Sequence, residues 1–309
     1  MNKHVSFLRN SGVLQGVNIL PSETFVFFAM ISITIWFIMP QFCPVQVHAQ
    51  LGTTPNIKHI VVGRCFTYTT VVNPNSRYDC EKIWRHFEEA VVKQSSCNVT
   101  VEHYNRMFNV MPQIWPCNRF LFWSKTRALM HSYAGVFRHF WTLEDTLVGY
   151  MFNDLIWCGQ EADSDFDFNS CPEWSTCRNH PVFSLWRQAS QNFAEMACGN
   201  ITVLLNGSIV NAFNRKSMFG SVELDSLNPQ RVEYVNIKVV TNLEGPQIES
   251  CSKGSIVDLI QILQSRGFHW TCTDRDPTLM ILQCIQDPKH SFCQTCANTL
   301  LQQKSLTSN

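Results

Sequence analysis

Charge is scarce in this chain of 309 residues: 24 Lys and Arg offset 24 Asp and Glu, and the formal net charge is zero. That balance excludes the broad basic field by which proteins gather nucleic acid or anionic membrane. Several familiar signatures are also missing: G-x-G-x-x-G, the Walker loop, H-E-x-x-H and G-x-S-x-G do not occur. Dinucleotide-fold, P-loop, zinc-peptidase and α/β-hydrolase chemistries therefore have no foothold. The ten histidines are scattered without metal-ligand spacing, so no metal site is expected. There is no internal repeat and no low-complexity stretch, and no apolar tail follows Cys296 to act as a glycolipid-anchor signal.

Cysteine is abundant instead. Fourteen cysteines spread from Cys43 to Cys296 rather than gathering into one knot, which reads as a disulfide framework. Cys293 and Cys296 form a C-x-x-C, read as structural rather than zinc-binding or redox in an exported chain. Sequons at Asn98, Asn200 and Asn206 are candidate glycosylation sites and fit the same oxidising compartment. Lys3 and Arg9 precede an apolar run from Phe25 to Met39, followed by Pro40, Pro44 and a small-residue site ending at Ala49. The run matches the upper end of a signal-peptide core, about 7 to 15 residues, and is shorter than the roughly 17 to 25 of a spanning helix. Secretion after cleavage at Ala49 is therefore favoured over a type II signal anchor through residues 25–39. Loss of Cys43 with the signal would leave thirteen cysteines, so one is unpaired or bridges to another chain, and a homodimer is an open expectation.

Hydrophobic residues make up 45% of the chain, enough for a folded core, and the length allows one large or two small domains. From Asp79 to Met111 the pattern is largely helical, with Ile83, Trp84, Phe87, Ala90 and Val91 on one stripe. Residues Arg127 to Phe140 and Leu143 to Ile156 also read as helices, and Glu161 to Pro181 as a stapled loop. After Cys198, "ITVLLNGS" and "VEYVNIKVVTNL" read as strands. A helix follows, with Ser255 and Asp258 as a capping box, a stripe of Ile256, Leu259, Ile260 and Leu263, and Gly267 at its end. "FHWTCTD" and "TLMILQCI" read as further short strands. The expected fold is α/β: a helix-rich N-terminal domain over 50–197 and a C-terminal domain over 198–298 with a short parallel sheet flanked by helices, a cleft between them, and a flexible tail over 299–309.

Carboxylates beside aromatic groups are the strongest chemical lead. In "WTLEDTLVGYMFNDLIWCG", Thr142 and Asp145 match a helix-start box, which leaves Glu144 as a first-turn acid in the positive end of a helix dipole. In "MFGSVELDSL", Glu223 is surrounded by Phe219, Val222 and Leu224, with Gly220 permitting a close backbone approach. Taken alone, each acid reads as an ordinary exposed or loop residue. Paired acids against apolar walls are the equipment for cleaving a glycosidic bond, because the oxocarbenium-like transition state needs negative charge beside it. Trp123 in "FLFWSKT" and Trp186 in "FSLWRQAS" each adjoin a basic residue, so an aromatic face could stack a planar base while the cation meets phosphate.

In this order, "FWSKT", "TLEDTLVGYMFNDLIWCG", "FSLWRQAS" and "MFGSVELDSL" resemble the ADP-ribosyl cyclase and cyclic ADP-ribose hydrolase family of extracellular NAD-cleaving enzymes. The likeness runs from about Gly63 to Cys293. It implies that Glu223 is the catalytic glutamate, that Trp123 and Trp186 line the nicotinamide site, and that Glu144 contacts nicotinamide. Asn153 falls near the nicotinamide carboxamide, while Ser124, Lys125, Ser217 and Phe219 fall on segments that approach the ribose and phosphates. The resemblance also implies the pairs Cys65–Cys80, Cys97–Cys177, Cys117–Cys198, Cys158–Cys171, Cys251–Cys272 and Cys284–Cys293, and a segment from 117 to 141 that packs on the C-terminal domain. Met218 occupies a position that varies between Phe and Thr in the family and influences how the intermediate is partitioned, so the ratio of products does not transfer; Arg127 stands where a lysine assists cyclic ADP-ribose hydrolysis in the mammalian relatives, so efficient hydrolysis of that product does not carry over either. NAD is the expected substrate, NADP a second candidate, and no cofactor is expected. The alternative is a non-catalytic, disulfide-rich receptor or adhesion module on the same fold.

Overall fold

The computed structural model describes residues 52–137, 140–160, 164–243 and 245–294. The run from Phe25 to Met39, the Ala49 site, Cys43, Cys296 and the tail lie outside the described residues. The helix-rich half begins with α1 (Ile57–Thr67) and α2 (Cys80–Val92). The Asp79 side chain starts α2 by accepting from the Lys82 N–H at 2.9 Å, and the expected stripe of Ile83, Trp84, Phe87, Ala90 and Val91 is buried. The helical pattern expected from Asp79 to Met111 is interrupted, because Cys97 is bonded to Cys177 and the chain resumes only as a 3-10 turn (Val101–Tyr104) and the short α3 (Asn105–Asn109). Trp84, Phe87, Tyr104, Phe152 and Trp157 form the aromatic centre of this core. Its buried polar atoms are satisfied in sequence: Trp157 Nε1 donates to the Tyr104 hydroxyl at 3.1 Å, and that hydroxyl donates to the Pro181 carbonyl at 2.9 Å.

The second half is built on four parallel strands in spatial order β1-β2-β3-β4: β1 (Leu121–Ser124), β2 (Gly199–Asn206), β3 (Val232–Val240) and β4 (His269–Asp274). Central β2 is buried from Ile201 to Leu205 on both faces, the mark of a parallel strand covered by helices on each side. One face packs Phe120, Ile201, Val203, Val235 and Ile237 against α6 (Pro181–Met196) and α8 (Ser255–Ser265). The other packs Leu121 and Leu204 against Met130 and Tyr133 of α4 (Arg127–Phe137) and Leu279 and Leu282 of α9 (Pro277–Gln286). Strand β1 pairs in register with β2, Leu121 opposite Thr202. The six disulfides among the described residues have the pairing that the family resemblance implies.

Three further expectations need correction. "TLMILQCI" is helical, not a strand: Asp276 accepts from the Thr278 and Leu279 N–H groups at 3.0 and 3.2 Å, Pro277 occupies the first turn, and Leu279 and Leu282 are buried three residues apart. The run from Leu143 to Ile156 is two pieces, a 3-10 turn (Leu143–Asp145) and α5 (Leu147–Phe152), because the Thr146 hydroxyl caps a new start by accepting from the Gly149 N–H at 3.0 Å. A Cβ on Gly149 would overlap the Leu143 carbonyl, so only glycine permits this close return. Finally, Ser255 and Asp258 form no capping box. Gly254 at φ 78° precedes α8, and the buried Glu249 carboxylate reaches across to accept from the Ser255 N–H at 3.2 Å. Gly267, at φ 78°, does close that helix. The short α7 (Leu224–Ser226) lies between β2 and β3.

Asp276 is both the cap of α9 and the partner of Lys238, and the two side chains are only 11% and 20% exposed. Replacing Asp276 with Ala removes the cap and strands a largely buried ammonium, lowering stability by about 2 kcal/mol or more. Asp276→Asn keeps an acceptor for the helix N–H groups and falls between wild type and Ala. Thermal unfolding midpoints of the three proteins in one buffer check that order.

Candidate active site

Ligands in parallel α/β sheets bind beyond the carboxyl ends of the strands, and here that edge opens into a cleft of about 390 Å³. Trp123 and Ser124 end β1 and line it. The chain then turns sharply, with Lys125 in the left-handed region at φ 58°, and Lys125 Nζ donates to the Asn211 carbonyl at 3.2 Å. From the opposite side α6 contributes Phe183, Trp186 and Ser190. The intervals of three and four residues place these side chains on one helical face. Glu144, in the 3-10 turn, lines the cleft too, and Trp123 Nε1 donates to its Oε2 at 3.4 Å. Thr142 and Asp145 play the structural part expected of them: the Thr142 N–H donates to Asp145 Oδ2 at 2.8 Å and the Asp145 N–H to the Thr142 carbonyl at 3.1 Å.

The cleft floor is a wide π-helical turn, Phe219–Glu223, that runs into α7. Ser217 prepares it, donating from Oγ to the Asn214 carbonyl at 2.7 Å and accepting from the Gly220 N–H at 3.1 Å. Gly220 is needed because a Cβ there would strike the Asn214 carbonyl and the Arg215 backbone. Arg215 then clasps the turn from outside, donating to the Gly220 carbonyl and pairing with Asp225 at 2.7 Å. This local geometry turns Glu223 inward, where it is 7% exposed and its Oε1 accepts from Ser190 Oγ at 2.9 Å.

The structure thus brings together Trp123, Ser124, Lys125, Glu144, Trp186, Ser217, Phe219 and Glu223 in one cleft. Asn153 is not among its lining residues. Asn153 Oδ1 accepts from Arg127 Nη2 at 3.2 Å and its backbone carbonyl from Arg64 at 2.7 Å, while Arg127 also pairs with Asp154 at 2.9 Å. Asn98 and Asn200 are exposed, whereas Asn206 is half-buried and its Nδ2 donates to the Lys125 carbonyl at 3.3 Å. Ser190, Trp174 and Phe183 were missed as site residues. Ser190 was within reach of the sequence, lying four residues beyond Trp186 on a helix, but Trp174 sits in a loop with no periodicity to orient it. Among the described residues no group of three or more His, Cys, Asp and Glu is placed to hold a metal ion.

A family model of ADP-ribosyl cyclase matches residues 54–293. The chain belongs to the ADP-ribosyl cyclase family. The rat ADP-ribosyl cyclase/cyclic ADP-ribose hydrolase 1 is 40% identical over 244 residues, which cover 78% of this chain and 80% of the relative. The cyclase/hydrolase of Aplysia californica is 33% identical over 247 residues, covering 78% and 87%. Among solved structures, Aplysia cyclase complexed with substrate NGD and product cGDPR superposes with a TM-score of 0.75 at 32% identity, covering 79% of this chain and 99% of that one. Porcine CD38 with a covalent intermediate, ribo-F-ribose-5'-phosphate, gives 0.70 at 37% identity, covering 73% and 98%.

In this member of the ADP-ribosyl cyclase family the electrostatics centre on Glu223. Burial pushes its pKa up to about 8; the Ser190 hydrogen bond opposes that rise and the nearby Glu144 charge adds to it. A carboxyl group whose pKa is raised on folding binds more protons in the native than in the unfolded state. Its effect on stability therefore worsens as pH rises from the unfolded value, about 4.5, to the folded value, about 8, and is constant above that. Glu223→Gln removes this dependence. Its melting temperature relative to wild type is expected to rise from pH 5 to pH 8 and then level off, as followed by differential scanning fluorimetry across that range.

Proposed function

We propose that the chain cleaves the bond between nicotinamide and ribose in NAD, yielding ADP-ribose when water captures the sugar and cyclic ADP-ribose when the substrate's own adenine does. The observation that carries this reading is a buried carboxylate, Glu223, on the floor of a cleft walled by Trp123 and Trp186 and carrying a second acid, Glu144. Support comes from the relatives, which are named for this activity, and from the complexes of Aplysia cyclase with NGD and of porcine CD38 with a covalent intermediate.

The proposed chemistry follows from charge. Nicotinamide is cationic while attached to ribose and leaves neutral with the bonding electron pair, so positive charge moves from the ring to the anomeric carbon. Trp186 and Trp123 hold the planar ring, and Glu144 offers it a polar contact. The substrate's cation, entering beside Glu223, favours the ionised carboxylate that burial disfavours. Ionised Glu223 then stabilises the ribosyl cation or forms a bond to its anomeric carbon, and Ser190 holds the carboxylate in place. Attack by water oxygen, with loss of its proton, or by an adenine nitrogen completes the reaction. No metal and no resident cofactor take part in this scheme. Asn153 joins the nicotinamide side only if its bond to Arg127 opens. Ser124, Lys125, Ser217 and Phe219 are assigned to the ribose and phosphates, and NADP is a second candidate substrate.

Incubation of the exported domain with NAD is expected to release nicotinamide, and Glu223→Gln to lower kcat about 1000-fold, as for loss of a charge made to fit a transition state. Equal release by wild type and Glu223→Gln would overturn the assignment, and no release by either would favour the non-catalytic receptor module. Chromatography of the products measures the partition between ADP-ribose and cyclic ADP-ribose that Met218, in the cleft wall, bears on.

The six disulfides mark the described residues as an extracellular domain, and no helix among them is long and apolar enough to cross a membrane. We further propose secretion after cleavage at Ala49. The mature protein then begins at Gln50 by N-terminal sequencing; a protein that keeps Phe25 to Met39 in a membrane fraction would show anchorage instead.

A further inference from the structure

The direction of Glu223 is set by a segment that cannot hold its own shape. The π turn Phe219–Glu223 passes into α7, Leu224–Ser226, a helix of only 3 residues. A helix this short has no intrahelical partners for its last carbonyls and does not persist on its own. The Leu227 N–H donates to the Glu223 carbonyl at 3.1 Å, which closes the turn but leaves the carbonyls of Leu224, Asp225 and Leu227 to be satisfied from elsewhere. One side chain reaches all of them. Arg266 donates through Nη1 to the Leu224 carbonyl, and through Nη2 to those of Asp225 and Leu227 at 3.2 and 2.8 Å.

Arg266 comes from a distant element, the end of α8, and is itself fixed there. Its N–H donates to the Ile262 carbonyl at 3.1 Å, Gly267 at φ 78° turns the chain, and the Phe268 N–H returns to the Leu263 carbonyl at 3.0 Å. The guanidinium lies 5.2 Å from the centre of the Phe268 ring, and its Nη1 is 4.0 Å from the Asp225 carboxylate. Arg215, which holds the Gly220 carbonyl ahead of Glu223, pairs with the same Asp225. Two guanidinium groups thus grip the backbone on either side of the acid. Arg215 belongs to the same loop as the turn, whereas Arg266 ties it to α8, whose Ile256, Leu259 and Leu263 are locked into the core of the sheet. We infer that Arg266 is a positioning residue of the active site, which by gripping the carbonyls beyond Glu223 keeps that carboxylate turned into the cleft against Ser190. Arg266 does not line the cleft and acts only through the backbone of α7. This rests on the proposed cleavage of NAD at Glu223 and adds to it a residue outside the cleft on which the rate depends.

The test compares wild type with Arg266→Ala and Arg266→Lys, and with Asp276→Ala as a protein destabilised far from Glu223. Nicotinamide release from NAD is followed at a temperature where circular dichroism shows all four folded. In Arg266→Ala kcat is expected to fall about 30-fold with KM within about threefold, because a misplacement of about 1 Å can cost on the order of 100-fold. Arg266→Lys keeps the charge but not the planar fork, so it recovers only part of the loss. Asp276→Ala keeps the wild-type kcat. The acid limb of kcat/KM against pH moves to lower pH in Arg266→Ala, because a loosened Glu223 turns toward water and loses the burial that raises its pKa, while Ser190, Glu144 and Lys125 around it are unchanged. An acid limb that stays in place overturns the inference, as does a kcat loss of the same size in Asp276→Ala. Should Arg266→Ala not fold, Arg266→Lys carries the same comparison at smaller size. A second measurement needs no substrate: the gain in melting temperature from Glu223→Gln, which grows from pH 5 to pH 8 in the wild-type background, flattens in the Arg266→Ala or Arg266→Lys background. An equally steep pH dependence in both backgrounds refutes the positioning role. Failure of wild type to release nicotinamide would refute the proposed cleavage instead, and the melting comparison would still decide the role of Arg266.

Discussion

Placing one carboxylate, Glu223, out of water at the end of a parallel sheet is the constraint to which the rest of the cleft answers. An isolated buried carboxylate is costly, and here the Ser190 hydroxyl compensates by hydrogen bonding, while the Glu144 charge works against ionisation. The π turn, the close approach that Gly220 allows, and the clasp of Arg215 on Asp225 all aim and hold this side chain. A desolvated carboxylate of this kind persists only where its surroundings fix its geometry.

Helix α6 supplies much of that determination. Leu185 and Ala189 pack into the aromatic core of the helical half, while Phe193, Ala194 and Ala197 just beyond pack with the sheet. The helix therefore joins both cores, and the face between them carries Trp186 and Ser190 into the cleft. A second layer supports the opposite wall. Buried Glu249 accepts from the Asn211 and Ala212 N–H groups at 2.5 and 3.2 Å and also from Ser255, fixing the loop whose Asn211 carbonyl receives Lys125. Disulfides complete the frame at the cleft rim, where secondary structure is sparse.

Legibility in the sequence differed by the range of the interactions concerned. The stripe of α2, strands β2 to β4 and the Thr142–Asp145 box were readable because periodicity and capping act within a few residues. The helix Pro277–Gln286 reads as a strand from its apolar pattern because so short a run fits either period; the Asp276-Pro277 start is the local signal that favours a helix. The break before α5 depends on the return of Gly149 onto Leu143, a contact between backbones that no hydrophobic pattern announces. Glu144 and Glu223, read locally, are an ordinary first-turn acid and a loop acid, and only the order of four motifs pointed to a joint site.

By itself the sequence determined the local elements, the cysteine framework through its family motifs, and the kinds of side chain available for the chemistry. These depend on residue type and short spacing. The tertiary structure alone decided that Glu223 is desolvated against Ser190, that Arg127 holds Asn153 outside the cleft lining, and that Trp174 stacks on His180 at the rim. Desolvation, hydrogen-bond partners and stacking are properties of groups brought together from distant parts of the chain, and they come into being only when the sheet, α6 and the cross-linked loops close around one cleft.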